Sequence, residues 1–238
     1  MIVLGISPLD KDASASLVID GKVVFAAGEE RFSRKKQHAG FPAQAIQAAL
    51  DHAGVRAQDV DVVAYPFLEA AKEAELIQRA FAGNVDFERT WDAGDLAQQL
   101  QAALARVPAR TKPIPGLRDP NERLPKGLLK ELFYSLVGGG SSLARSLSLR
   151  LARQWEQLAI AAHARHEADL LAGLDGIGLR PKLRRTEHHF SHAANAFLAS
   201  GFERALIVTL DGYGSGMSGS VSIGDRGRIE RIHNFRFP

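Results

Sequence analysis

A strand–turn–strand signature stands near each end of this chain, and it constrains the fold more than any other feature. Residues 2–7 and 15–19 are short apolar runs, Asp20-Gly21 follows, and residues 22–28 make a return strand. An Asp-Gly pair between apolar runs predicts a two-residue hairpin, because the primed turns need positive φ at both central positions. Near the other end, residues 205–210 read as a buried strand. Residues 220–223 and 227–233 then read as a hairpin with Asp225-Arg226-Gly227 at its turn. After the first hairpin, Pro42 sits at the first turn of a helix reaching about residue 53, with Ala45, Ile46, Ala49 and Leu50 on one face. Residues 60–64 read as the next buried strand. Hairpin, helix and strand in this order predict an α/β fold, and the late hairpin repeats the opening design.

The middle of the chain is less regular. Helical patterns cover about residues 69–81 and 95–106, and Pro108, Pro113, Pro115, Gly116, Pro120 and Pro125 then break the chain into an irregular connector. From residue 141, Leu143, Leu147, Leu151, Trp155, Leu158 and Ala162 recur at three- and four-residue steps, predicting a long helix toward residue 171 that packs this seam on the sheet. With 238 residues, of which 45% are apolar, there is enough chain for one large domain or two lobes. No apolar run approaches the roughly 20 residues of a membrane span, and the start lacks a signal peptide's features, so no membrane partner and a cytoplasmic location are expected. A net charge of +3 favours anionic ligands and argues against a nucleic-acid partner, whose footprint needs concentrated basic charge.

The chain has no cysteine, so a metal must be held by nitrogen and oxygen. His188 and His192 stand four apart on a predicted helix with Thr186 as its N-cap, hence on one face. Asp211 follows at a strand's carboxyl end, where open α/β sheets place ligands. Two imidazoles and a carboxylate are most of a mixed N/O metal site with positions left for substrate. Gly212, Gly214, Gly216 and Gly219 crowd the turn beyond it, and their backbone N–H groups suit phosphate. The connection between the first two strands, residues 8–15, carries Lys11 and Asp12 beside small hydroxyl residues; it suits phosphate or a substrate hydroxyl, or is a solvated turn. Residues 29–36 form a charge block that reads equally well as a solvated rim.

Gly5-Ile6-Ser7, Asp12-Ala13-Ser14-Ala15, Asp20-Gly21, Glu29-Glu30-Arg31-Phe32-Ser33-Arg34-Lys35, Phe41-Pro42, Glu187-His188-His189-Phe190-Ser191-His192-Ala193-Ala194 and Thr209-Leu210-Asp211-Gly212-Tyr213-Gly214 resemble, in order and spacing, the amino-terminal part of the nodulation-type and antibiotic O-carbamoyltransferases. The resemblance covers both ends of the chain and leaves the stretch from about residue 67 to 182 generic.

The resemblance implies an actin/Hsp70-like fold of ribonuclease H-like lobes, here the first lobe over residues 1–210, with a helical, Pro-rich insertion around 67–182, and the start of a second over 211–238. It implies transfer of a carbamoyl group from carbamoyl phosphate, by way of ATP and a carbamoyl-adenylate, to a small-molecule hydroxyl at an Fe(II) or other divalent site. His188, His192 and Asp211 fall on three metal-ligand positions; a further aspartate would lie beyond residue 238. Asp12 falls near the acceptor hydroxyl and is the candidate base, with His189 a weaker one, free to face away from its neighbours. Lys11 stands where a histidine usually precedes that aspartate. With Gly212 and Gly214 it is read as cofactor-binding. The missing carboxyl-terminal lobe and a YrdC-like domain are expected partners, in cis or in trans, and an open sheet edge suggests a homo-oligomer. Two other functions stay open, a non-catalytic actin-like pairing or regulatory subunit and a tRNA threonylcarbamoyl transferase.

Overall fold

A computed structural model describes residues 1–90, 102, 105, 106 and 142–236. The expected helix at 95–106, the proline-rich connector and Phe237-Pro238 lie outside the described residues, apart from single positions. The first sheet is built from β1 (Ile2–Ile6), β2 (Ser14–Ile19), β3 (Lys22–Gly28), β4 (Val62–Tyr65) and β5 (Leu183–Arg185) in the order β3-β2-β1-β4-β5. The first three run as antiparallel hairpins, and β4 and β5 join in parallel. An antiparallel meander followed by parallel crossover strands in that order is a ribonuclease H-like lobe, the unit of actin/Hsp70-like folds.

Local chemistry explains the elements. Asp20 and Gly21 both have positive φ (49° and 80°), as the two-residue turn between β2 and β3 requires. Helix α1 (Glu30–Ser33) is a single turn. Helix α2 (Ala43–Ala53) buries the four residues that its periodicity singled out, Ala45, Ile46, Ala49 and Leu50. They meet Leu4, Ile6, Leu17 and Val63 from the sheet in the main core. Pro42 caps α2 without a side-chain acceptor, and Glu29 supplies one: its carboxylate accepts from Gln44 N (3.2 Å) and Ala45 N (2.7 Å). The charge block is therefore a solvated rim only beyond its first residue. Glu29 is buried and satisfies the open end of a helix.

Helix α3 (Ala70–Thr90) and helix α4 (Ser142–Gly176) stand in the crossover from β4 to β5. Of the seam expected to pack α4 on the sheet, Leu151, Trp155 and Leu158 are exposed, and the α4 residues that enter the core are Leu170 and Leu174 near its end. Among the described residues no helix is long and apolar enough to cross a membrane.

Helix α5 (His188–Leu198) leads into a second sheet of β6 (Arg204–Gly214), β7 (Met217–Asp225) and β8 (Arg228–Arg236), an antiparallel meander. Its two turns, Ser215-Gly216 and Arg226-Gly227, again have positive φ at both residues. The repeat of the opening design is thus physical. Strand β6 continues past residue 210, where the sequence placed a boundary, though its pairing with β7 shifts register between Leu210 and Gly214, and it is not fully buried. Ile207 and Thr209 face α5, while Leu206, Val208 and Leu210 are more than half exposed on the other face.

Candidate metal centre

Glu187, not Thr186, is the N-cap of α5; its carboxylate accepts from His189 N (2.6 Å) and Phe190 N (3.1 Å) and is held by Arg231 from β8. Thr186 instead donates its backbone N–H to Tyr65 O at the end of β4. The helix start is fixed to both sheets, and that places His188 and His192 one turn apart over Asp211 of β6.

His188 Nε2 lies 2.7 Å from Asp211 Oδ2, His192 Nε2 lies 3.0 Å from His188 Nε2, and His192 Nε2 lies 3.5 Å from Asp211 Oδ2. Two ligands of one cation at bond lengths of about 2.1 Å can stand no more than about 4.2 Å apart, and all three separations meet that limit. The tautomer points the same way. His188 Nδ1 faces Pro66 O at 3.3 Å, and a carbonyl only accepts, so Nδ1 of the neutral ring carries the hydrogen and Nε2 presents its lone pair. That lone pair meets a carboxylate oxygen and a second imidazole nitrogen. A proton or a cation between them turns repulsion into attraction, so the donor set fits a divalent metal. Of these groups His188 is buried, whereas His192 and Asp211 are exposed, which leaves the centre open on one side. Burial pushes the Asp211 carboxyl up, but its bonds with His188 and Gly212 N–H, together with His192 nearby, outweigh this and hold it below the usual carboxylate value.

The remaining candidates separate. His189 is fully buried between Thr209 Oγ1 (3.2 Å) and Met217 O (3.1 Å), and burial pushes its pKa down. It does not face away from its neighbours; with both ring nitrogens engaged it ties α5 to β6 and β7, which corrects its reading as a base. At Gly214 a Cβ would stand 2.0 Å from His188 Cδ2, so glycine there lets β6 pass against the edge of that imidazole. Gly212 is exposed, has open space where a Cβ would stand, and gives its N–H to Asp211 Oδ1 (2.6 Å). Lys11 and Asp12 are exposed in the β1–β2 connection, Asp12 at φ 52°, and no direct contact joins them to the histidines.

Four neighbours escaped sequence reasoning. Phe67 stacks on His188 (centroids 4.4 Å, planes 16° apart), and His163 of α4 meets Phe67 edge-on at 4.9 Å. Burial, with His166 and His188 nearby, pushes the His163 pKa down to about 4. Ser215 accepts from His188 N and donates to the buried Glu73 of α3. Phe67, in the bend after β4, and Glu73 and His163, on α3 and α4, lie more than twenty residues upstream in generic sequence, which carries no signal for them. Ser215 was legible only as a small residue between two glycines.

A histidine–aspartate centre set between two hairpin-based sheets defines the class: a ribonuclease H-like lobe with a candidate metal site. Residues 2–89 match the family model of the carbamoyltransferase N-terminus. The chain is 26% identical over 224 residues to the nodulation protein NolNO of Sinorhizobium fredii, covering 94% of this chain and 23% of that protein. It is 29% identical over 236 residues to the uncharacterized protein sll1178 of Synechocystis sp., covering 99% of this chain and 29% of that one. The chain thus spans less than a third of these relatives. Among solved structures, YeaZ from Pseudomonas aeruginosa aligns over 100% of this chain and 68% of its own, at 11% identity and a TM-score of 0.36. These matches support the carbamoyltransferase family for this chain, through the matched residues 2–89 and a nodulation-protein relative.

Proposed function

We propose that this chain supplies the metal-binding lobe of an O-carbamoyltransferase that moves a carbamoyl group from carbamoyl phosphate, through ATP and a carbamoyl-adenylate, to a hydroxyl of a small molecule. The observation that carries this reading is the convergence of His188 Nε2, His192 Nε2 and Asp211 Oδ2. These residues would hold Fe(II) or another divalent cation, which when bound would act as a Lewis acid toward the carbamoyl or phosphate oxygens. In the transfer step the acceptor oxygen bonds to the carbamoyl carbon, the bond from that carbon to the phosphate oxygen breaks with its electron pair, and the hydroxyl proton passes to a base. Asp12 is the base in this reading, since its exposed carboxylate stands in a connection that a substrate can reach. Lys11 beside it would meet the charge of the leaving phosphate.

The three-stranded sheet is, on this reading, the opening of the second lobe. Its remainder and a YrdC-like domain would come from further polypeptide, in cis or in trans. The open apolar face of β6 and the greater length of the relatives support this. The test incubates the purified chain, alone and with the complementing carboxyl-terminal polypeptide, with Fe(II), ATP, labelled carbamoyl phosphate and a panel of hydroxylated acceptors. Labelled acceptor is expected only from the complemented sample. Metal uptake without transfer in any sample would favour a pairing subunit, and robust transfer by the chain alone would overturn the division into lobes.

A further inference from the structure

We propose that Glu73 is a positioning residue of the metal centre: through the Ser215 hydroxyl it fixes the backbone of His188 and thereby where that imidazole meets His192 and Asp211. The proposal rests on the metal reading above and extends it to a helix that contributes no ligand.

Glu73 is fully buried on α3. Its Oε1 accepts from Ser215 Oγ at 2.8 Å and from Leu68 N at 3.1 Å, while Oε2 has no hydrogen-bond partner among the described residues. Burial pushes the carboxyl up, against the pull of those two donors. A half-satisfied buried carboxyl is costly, and an apolar side chain of similar size would avoid the cost. What the apolar residue could not do is orient Ser215. A hydroxyl has one hydrogen: given to Glu73, it leaves the lone pairs of Oγ to accept the His188 N–H, at 3.3 Å. Without the carboxylate, the hydroxyl rotor loses the partner that fixes it.

The turn that carries Ser215 is gripped by the same helix. Ser215 has φ 49°, a region that favours Gly, Asn or Asp, so a serine there is kept at a conformational cost. At the next residue, Gly216, a Cβ would stand 3.0 Å from Leu76 O, so the α3 backbone presses on the turn one helical turn after Glu73. On its other side Gly214 abuts the His188 ring. Helix α3, the turn and the ligand form one contiguous contact. A displacement at Glu73 therefore reaches the imidazole without crossing solvent.

The experiment uses the full chain, stripped with chelator and titrated with Co(II), whose visible absorption reports its ligands. Wild type, Glu73→Gln, Glu73→Ala and Ser215→Ala are compared by affinity and spectrum. Glu73→Ala and Ser215→Ala should weaken Co(II) by about tenfold or more and alter the spectrum, the size of effect expected when a group that orients a ligand is lost. Glu73→Gln, whose amide oxygen still accepts from Ser215, should stay within about threefold of wild type. Wild-type affinity and spectrum in both Ala variants, with only a lower Tm, would reduce Glu73 to packing and overturn the proposal. If Glu73→Ala does not fold, Ser215→Ala decides. If wild type takes up no Co(II), the metal reading fails, and the His188 ring nitrogen shifts of the stripped proteins decide the positioning role instead. Shifts that move in the Ala variants and are restored by Gln support it; identical shifts in all four refute it.

Discussion

Gly212 and Gly214 are two residues apart in the same strand, and adding one methyl group to each separates two explanations of why glycine is there. At Gly214 the new Cβ would stand 2.0 Å from His188 Cδ2, at the edge of the ring. Carbon atoms pack at about 3.5–4.0 Å, so the ring would have to retreat by roughly 1.5 Å. Its Nε2 lies 2.7 Å from Asp211 Oδ2. Such a retreat carries it to roughly 4 Å, the limit for sharing one cation at bonds of about 2.1 Å. Gly214→Ala should therefore weaken Co(II) or Zn(II) binding by about 100-fold and cost about 1–3 kcal/mol of stability through overpacking. Gly212 has nothing within 4 Å of a Cβ and no positive φ. Gly212→Ala should leave stability within about 0.5 kcal/mol and metal affinity nearly unchanged. Titration calorimetry and thermal unfolding of the two variants measure both quantities. A Gly214→Ala protein with wild-type affinity, or a Gly212→Ala protein damaged as badly, would refute the packing argument; the second outcome would favour a backbone cradle needing glycine at residue 212.

Three further outcomes are expected. His189→Phe should cost about 1–3 kcal/mol in urea unfolding, because Thr209 and Met217 O lose buried partners, yet leave the metal affinity within a few-fold; a large loss of affinity would return His189 to the site. Glu29→Ala should cost about 1–3 kcal/mol by leaving two N–H groups at the start of α2 without acceptors, and an unchanged denaturation midpoint would show that water replaces the carboxylate. His163 should make the fold acid-sensitive. Its folded pKa, about 4, lies below the ordinary 6.5, so between those values the unfolded chain binds the extra proton. Its contribution is complete above about pH 6.5 and fades as pH falls toward 4, with an upper bound of about 3 to 4 kcal/mol. His163→Phe should flatten stability in that window, and an unchanged slope would place the acid sensitivity elsewhere.

What the sequence made legible was whatever depends on near neighbours. The hairpin at Asp20-Gly21 follows from φ at two residues, and the buried face of α2 follows from its period. His188 and His192 share a face by helix geometry alone. Asp211 was joined to them by its place at a strand's carboxyl end and by the resemblance, because nothing local says that β6 passes beneath α5. The failures have one cause. Glu29 and His189 were judged by residue type, as rim charge and as a base free of its neighbours, while their contacts are set by groups at sequence distances of 15 to 28 residues. The exposed Leu158 shows the reverse error, a periodic position that stays outside the core.

The placement of the centre carries one more consequence. His188 hangs from the first sheet through Thr186 N to Tyr65 O and through its own Nδ1 to Pro66 O, whereas Asp211 belongs to the second sheet. A cation shared by both would tie the two sheets together at the point where α5 crosses between them. The cluster that packs α5 on the second sheet is small, with Ala193, Phe197 and Ile207 its buried members. Three side chains of that size contribute only a few kcal/mol, on the order of what a ligand adds at 100 to 1,000 times its Kd, about 2.7 to 4.1 kcal/mol. On this accounting a bound cation would be as much a fastener of the second sheet as a chemical group. Chelation should loosen β6, β7 and β8 before it loosens β1, β2 and β3, and backbone hydrogen exchange resolves the two sheets separately. Equal loosening of both, or of neither, would show that α5 holds the second sheet in place by packing alone.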